Sequence, residues 1–541
     1  MRNISRRGIL FATGATMAGG ALASATGCSK GDTTPEPAPP QHYVSITPTD
    51  PRYQDMLLRG YNRRIIGKPD SVVIAYNTAQ VMKAVSDAVS ENKRLAIRSG
   101  GHGLDGAADA ADVQTVIDVS QMDDVYFDPH HNAFSVGTGT TLGALYKKLD
   151  LGWGVTVPGG GCPSVGIGGH LAGGGFGPLS RLHGLVADHL YGVEVVAVGS
   201  DRKARTVFAT REPNDPNRDL WWAHTGAGGG NFGVATRYLL RTRDAVGPPS
   251  ALLPKRPTAF TRVTTAWKSE TLTRENLALL VENFSKWSKK NSAATTKTGP
   301  LWGSLVVFGR DLGRVMLIAQ LDPTNPSSSD LLADFNSSIT ANLPAGSVRT
   351  EDKIPWQYTT VNQRDIGDSY NIPASQLRSK TSGGAYFKDS LTPHQSNVLY
   401  DYLLGERYKF SGVTTILLTW GGALNGVQAT DTAIAQRDSS MLFGGGMYWA
   451  NQVEDSARID WMNEFYRELF AESGGVPAPN DRTDGCYMNW PDTDLANPAV
   501  NKSGVQWNTL YHKDNYTRLQ SVKRKWDPHN IFRRQLGVSV G

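Results

Sequence analysis

Cysteine is scarce. The chain of 541 residues holds three, Cys28, Cys162 and Cys486, and the first belongs to an N-terminal targeting segment. A chain of this size with two further cysteines does not rest on a disulfide framework; at most those two pair once. Long apolar runs are also missing. The one candidate, from Ile9 to about Thr26, is too short and too glycine-rich to span a membrane. No familiar metal-ligand spacing joins His170, His183, His189 and His224, and no carboxylate pair accompanies them, which argues against metal catalysis. No G-x-S-x-G elbow occurs, which argues against a hydrolase. Charge of one sign is lacking too. The formal charge of +5 falls to +2 without Arg2, Arg6 and Arg7, and both signs alternate through the rest. Lys523-Arg524-Lys525 and Arg533-Arg534 read as a solvated helix face rather than a nucleic-acid surface.

Glycine is what the chain has in excess, at 58 residues. Much of it lies in 152–177 and 226–233. Clustering of this kind points to a backbone that a ligand approaches closely, more than to general looseness. The length implies two lobes with substantial cores.

The N-terminus reads as an address. Ser5-Arg6-Arg7-Gly8-Ile9-Leu10 is a twin-arginine pattern, and the mildly apolar run after it ends in small residues, giving a signal peptide over 1–28. Twin-arginine machinery exports folded proteins, which suits an enzyme that loads a cofactor first. Thr26-Gly27-Cys28 also looks like the end of a lipoprotein signal, so lipid attachment at Cys28 stays open beside simple secretion. Residues 29–42 form a Pro-rich linker.

Beyond it, 43–245 carries a β-α-β unit. A strand over 71–76 leads to a helix capped by Asn77 or Thr78, with Val81, Ala84, Val85, Ala88 and Val89 on its apolar face. A strand over 95–98 follows, and ends in the loop Ser99-Gly100-Gly101-His102-Gly103. Further short strands are expected over 113–119, 125–128, 133–136, 192–199 and 234–242, and a helix over 141–149. Past Pro248-Pro249 the character changes. Leu277, Leu280, Val281, Phe284 and Trp287 make a helix face, and strands over 301–308 and 314–321 flank a hairpin turn. The predicted fold is α+β: a two-subdomain cofactor domain over 43–245, an antiparallel-sheet substrate domain with covering helices over 246–455, and a C-terminal segment, 456–541, that returns to the first.

Three glycine motifs carry the chemistry. In Arg98-Ser99-Gly100-Gly101-His102-Gly103 a strand ends in successive glycines, whose N–H groups make a nest for a pyrophosphate. Alone this is weak, because a single histidine in a turn is more often a surface residue. The second runs from Val157 to Gly177 and includes Gly161-Cys162, Gly166, Gly169, His170 and Phe176. So many glycines suit a flat, rigid ligand, and Cys162 is presented there rather than packed in an aliphatic core. The third, 220–233, contains a formal G-x-G-x-x-G at Gly228, Gly230 and Gly233, but a Trp-rich segment precedes it and a strand starting at Val234 follows, so it is not a Rossmann fingerprint.

Together with Cys486-Tyr487-Met488-Asn489-Trp490-Pro491-Asp492-Thr493-Asp494-Leu495 and Tyr511-His512-Lys513-Asp514-Asn515, these motifs resemble the berberine-bridge-enzyme-like branch of the vanillyl-alcohol-oxidase/p-cresol-methylhydroxylase FAD-linked oxidases, over roughly 50–540. The resemblance implies bicovalent FAD, with His102 on the 8α-methyl carbon and Cys162 on C6. It implies FAD contacts from Arg98, Ser99, Gly100, Gly101, Gly103, Gly161, Gly166, Gly169, His170, Gly233, Val234, Asn489 and Asn515. It makes Tyr487 the base that takes a proton from a substrate hydroxyl. A phenol titrates near pH ~10, so such a base needs a positive charge or hydrogen-bond donor that the sequence does not locate. Phe176, Tyr386, Trp420 and Trp449 are expected along the substrate wall. Where a relative's glycine loop reads GGGYG and that tyrosine is linked to a second dehydrogenation, this chain has Phe176, which lacks the phenolic hydroxyl and leaves one or two oxidation steps open. The implied activity is oxidation of a secondary alcohol, a sugar hydroxyl, with O₂ reduced to H₂O₂ outside the cytoplasm. A flavin-dependent C–C or C–N dehydrogenase and a non-catalytic ligand-binding lipoprotein remain as alternatives. Neither a metal nor a nucleic-acid partner is expected.

Overall fold

The computed structural model describes residues 40–361 and 370–541. The twin-arginine segment, Cys28 and nearly all of the Pro-rich linker lie outside the described residues. Pro40–Gly541 forms one compact unit, built around three sheets.

The first sheet is the predicted β-α-β unit. Ser71–Ile74 and Leu95–Arg98 flank Thr115–Asp118 in parallel, and Val44–Ile46 adds an antiparallel edge. Asn77, not Thr78, caps the helix Thr78–Ser90: its side chain accepts from the Gln80 N–H at 3.0 Å. Val81, Ala84, Val85, Ala88 and Val89 are buried as expected, so the apolar stripe pins the helix to the sheet. The parallel pairing brings the C-terminal ends of two strands together, and the glycine loop grows from one of them.

The second sheet has five antiparallel strands, in the order Val125–Asp128, Ala133–Gly137, Val234–Leu240, Leu190–Val198 and Ala204–Thr210. Thr141 caps the helix Leu142–Trp153, which runs past its expected end until Gly154 turns left-handed at φ +67°. The third sheet has eight strands, all antiparallel: Val348–Pro355, Ala259–Lys268, Arg314–Leu321, Trp302–Phe308, Val413–Thr419, Met441–Trp449, Arg378–Phe387 and Thr483–Tyr487. Helices Arg274–Lys290, Ser328–Thr340, Pro393–Leu403 and Asp455–Leu469 cover one of its faces through a common apolar core.

The C-terminal segment is divided between the lobes. Helix Asp455–Leu469 and strand Thr483–Tyr487 belong to the eight-stranded sheet and its core. Helix Asn515–Trp526 instead sends Leu519 and Val522 into the core of the five-stranded sheet. A five-residue strand with Asp and Gly inside it shows too little alternation to be read from sequence. Among the described residues, no helix is long and apolar enough to cross a membrane.

Candidate active site

Arg98 ends its strand almost fully buried, with Nε donating to Asp118 Oδ2 at 3.0 Å across the parallel pair. In the turn that follows, Gly100 and Gly166 approach so closely that neither can carry a side chain. A Cβ on Gly100 would lie 2.3 Å from the Gly166 nitrogen, and one on Gly166 would lie 2.1 Å from Ser99 Oγ. Gly101 adopts φ +79° against the Arg59 carbonyl, a conformation that glycine supplies without strain. By contrast, the missing Cβ of Gly169 faces open space.

His102 and Cys162, one from each loop, meet at one hydroxyl. Ser164 Oγ lies 3.0 Å from His102 Nε2 and 3.5 Å from Cys162 Sγ. The His102 ring also stacks on Tyr61, with centroids 4.9 Å apart. Cys486 is buried in the sheet core and no disulfide joins it to Cys162. His170 braces the second loop by accepting the Gly160 N–H at Nε2, 3.1 Å away. Desolvation pulls its pKa down to about 4, so the ring stays a neutral acceptor near neutral pH.

These loops form one half of a cavity of about 950 Å³ whose other half is the open face of the eight-stranded sheet. The residues present fit FAD. The glycine half offers backbone N–H groups with no side chains in the way. One terminal nitrogen of Arg98 is buried there with no hydrogen-bond partner among the described residues, and such a group calls for an anion. Arg98, Ser99, Gly100, Gly101, Gly103, Gly161, Gly166, Gly169, His170, Gly233 and Asn489 all line the cavity, as do His102 and Cys162.

Where the halves meet, Phe176 is surrounded by rings. Its centroid lies 5.1 Å from Tyr487, 5.2 Å from Trp420, 5.4 Å from Trp490 and 6.0 Å from Trp302. Trp490 lies flat because the strands beneath it are bare: a Cβ on Gly444 would come within 2.6 Å of its ring, and one on Gly384 within 2.7 Å. Tyr487, at the end of its strand, is 2% exposed, and burial pushes its phenol well above the ordinary range. Three N–H donors work against that. Asn489 Nδ2 donates to the phenolic oxygen at 3.0 Å, and the backbone N–H groups of Gly175 and Phe176 address the same atom. Gly175 reaches this position at φ +71°, with no room for a Cβ beside the His170 ring. These are the donors that the sequence could not locate. The same Asn489 amide donates to the His170 carbonyl at 2.8 Å, so Tyr487 and the glycine loop are held by one side chain. Lys380 fixes the chain after Tyr487 through Asp492 at 2.5 Å and Asp494 at 2.8 Å.

Five residues expected at the site lie outside the cavity lining. Trp449 does not reach the substrate wall; it is buried in the sheet core, its Nε1 donating to Asp455 at 2.7 Å. Tyr386 and Trp420 stand behind the wall rather than on it: both are buried in the aromatic cluster around Tyr487, outside the cavity lining. Asn515 faces away from the cavity, its amide bonding the Ala429 and Thr432 carbonyls at 2.8 and 3.2 Å. Val234 packs in the core of the first sheet, leaving Gly233 and Ala235 on the cavity side. Sequence reasoning missed Ser164, Trp302, Arg262 and Gln320. Residues 302–308 are buried on both faces, so the alternation that would mark 302, 304, 306 and 308 as the cavity side is invisible in the sequence.

The chain matches the family described as FAD binding domain over residues 69–201, and that described as berberine and berberine like over 486–539. It is 44% identical to an aclacinomycin-N/aclacinomycin-A oxidase of Streptomyces galilaeus, over 92% of this chain and 89% of the relative. It is 28% identical to a hexose oxidase of Chondrus crispus, over 90% and 93%. The crystal structure of a glycopeptide hexose oxidase complexed with teicoplanin superposes with a TM-score of 0.87 at 39% identity, covering 93% of this chain and 99% of the other.

Proposed function

Because this chain belongs to the berberine-bridge-enzyme-like FAD-linked oxidases, we propose that it is an exported oxidase that converts one hydroxyl of a sugar, free or carried on a glycosylated natural product, to a carbonyl. FAD, when bound through His102 and Cys162, supplies the hydride acceptor and the route to O₂ and H₂O₂. The protein's own groups supply the rest. The glycine loops would hold the cofactor, and Ser164 keeps the imidazole and the thiol side by side. Phe176, Trp302 and Trp490 give the sugar ring apolar faces and keep water away. Tyr487 Oη takes the hydroxyl proton as the phenolate that Asn489 and the Gly175 and Phe176 N–H groups favour, and becomes a neutral phenol in doing so.

The observation that carries this reading is the buried tyrosine whose oxygen accepts from Asn489 at 3.0 Å, with the Gly175 and Phe176 N–H groups also favouring its charged form. They have little purpose around a phenol that only packs; around a phenolate they are what a base needs. The similarity to an aclacinomycin-N/aclacinomycin-A oxidase and to two hexose oxidases supports a sugar hydroxyl as the reacting group. Phe176, lacking a phenolic oxygen, supports one oxidation step. The twin-arginine pattern at Arg6-Arg7 supports export, with secretion or lipid anchoring at Cys28 as its two forms. The test is a panel of free sugars and glycosylated polyketides, with oxygen uptake, peroxide and carbonyl product measured together. Stoichiometric carbonyl and peroxide from a glycoside are expected. Turnover confined to substrates without a carbinol would replace this reading with C–C or C–N dehydrogenation, and no turnover of any substrate would sink it.

A further inference from the structure

Resting on the sugar-oxidase reading, we propose that the sheet half of the cavity contains an acid-recognising subsite, Arg262 aligned by Gln320, so that the preferred substrate is a glycoside bearing a carboxylate beside the oxidised sugar.

Register places this pair. Arg262 stands opposite Gln320, and Gln320 stands opposite Trp302, so the three form one row across adjacent strands on the cavity face. Neighbouring strands are about 4.8 Å apart, which puts Arg262 roughly 10 Å from the ring that stacks against Phe176, the reach of one sugar unit and a short substituent. Arg262 Nε donates to Gln320 Oε1 at 3.2 Å. That bond consumes one of the five guanidinium N–H groups and leaves the terminal fork for a ligand. Arg262 is half-buried, and among the described residues it makes no ion pair. The carboxylate opposite it across the other strand pair, Asp352, is exposed and makes none with it. Burial pulls the guanidinium pKa down and Asp352 opposes it; a guanidinium stays charged near neutral pH.

The rest of the cavity agrees in sign. Its lining carboxylates are Asp105 and Asp109, both on the glycine-loop side, where Arg534 lies 3.2 Å from the first and Arg98 3.7 Å from the second. The sheet side has no lining carboxylate among the described residues. It has a second cation, Arg314, over the Phe308 ring at 4.7 Å at the far end of the face. Met316 and Ile318 lie between the two arginines along one strand, and Val306, Ile416 and Leu418 extend the apolar face on the next two strands. Such a wall fits an apolar body with an acid at its sugar end and repels a cationic amino sugar at that position. A guanidinium fork favours carboxylate because both oxygens accept in parallel.

The test compares phenyl β-glucoside with 4-carboxyphenyl β-glucoside on the flavin-loaded protein. Binding is measured by calorimetry, and turnover is measured separately. The acid form should bind about tenfold tighter at low salt, the size of one charge-assisted hydrogen-bond pair. The ratio should shrink as salt rises, fall toward one in Arg262→Gln, and be partly kept in Arg262→Lys. An equal or reversed ratio in the wild-type protein, or a ratio unchanged in Arg262→Gln, overturns the subsite. Because binding is read without catalysis, failure of both glucosides to turn over counts against the oxidase reading alone.

Discussion

Asn489 is the place to test whether Tyr487 works as a base. Its Nδ2 lies 3.0 Å from the phenolic oxygen and 2.8 Å from the His170 carbonyl. Asn489→Leu keeps the side chain's size and deletes the donor. A hydrogen bond to a charged acceptor is worth about 1.5–3 kcal/mol, and one pKa unit corresponds to about 1.4 kcal/mol. The Tyr487 ionisation should therefore rise by about one to two units, from a position that burial has already raised. A base acts only in its deprotonated form, so kcat/KM climbs with pH below that ionisation. In Asn489→Leu the whole climbing limb should move to higher pH by the same one to two units, and at a fixed pH on the limb the rate should fall about 10- to 100-fold. The measurement is kcat/KM from pH 6 to 10.5 on wild type, Asn489→Leu and Tyr487→Phe, with flavin content matched. The orphaned His170 carbonyl costs stability of about 1–3 kcal/mol, so the assay runs well below the melting temperature. A limb that stays in place in Asn489→Leu, or that survives in Tyr487→Phe, would refute the assignment of the base.

Further predictions concern the bare backbone and the buried histidines. Gly444→Ala would set a Cβ 2.6 Å from Trp490, so it should tilt that ring, raise KM for the sugar several-fold and leave flavin content unchanged, as steady-state kinetics and absorbance would show. Gly100→Ala meets the Gly166 nitrogen at 2.3 Å, backbone that cannot yield; the purified protein should lose most of its flavin, and a fully yellow variant would contradict the cradle. His224 and His512 are buried with pKa values pulled down to about 4 and about 3. Unfolding returns each to about 6.5, so the unfolded chain takes up protons first as the pH falls. The stability they contribute is whole above pH ~6.5 and is lost on the way down to pH ~4, about 2 kcal/mol each by pH 5. Urea midpoints at pH 7 and pH 5 should differ accordingly. His512→Phe, whose parent ring nitrogens have no partner, should narrow that gap.

The parts of the fold and site that the sequence displayed are those governed by local chemistry. Asn77 caps its helix through the first-turn N–H groups. The two glycine-rich stretches stood out in the sequence as backbone that a ligand approaches, while their approach to each other came only with the fold. Pairing between distant segments was hidden. Strand Thr483–Tyr487 finds its place beside Arg378–Phe387 only through the assembled sheet, and this is what carries Tyr487 to the cavity. The donors from Gly175 and Phe176 lie some 300 residues before the tyrosine they serve. Trp449 and Asn515 show the converse limit: aromatic character and membership of a motif do not say which way a side chain faces.

The account's central claim is the double attachment of FAD at the edge where His102 and Cys162 share Ser164. It is tested most directly by acid-precipitating the protein, washing the pellet and taking spectra and masses of its peptic flavopeptides. A yellow pellet yielding flavin joined to both a His102 peptide and a Cys162 peptide is predicted. A colourless pellet, with the flavin washed away and both peptides at their unmodified masses, would contradict it.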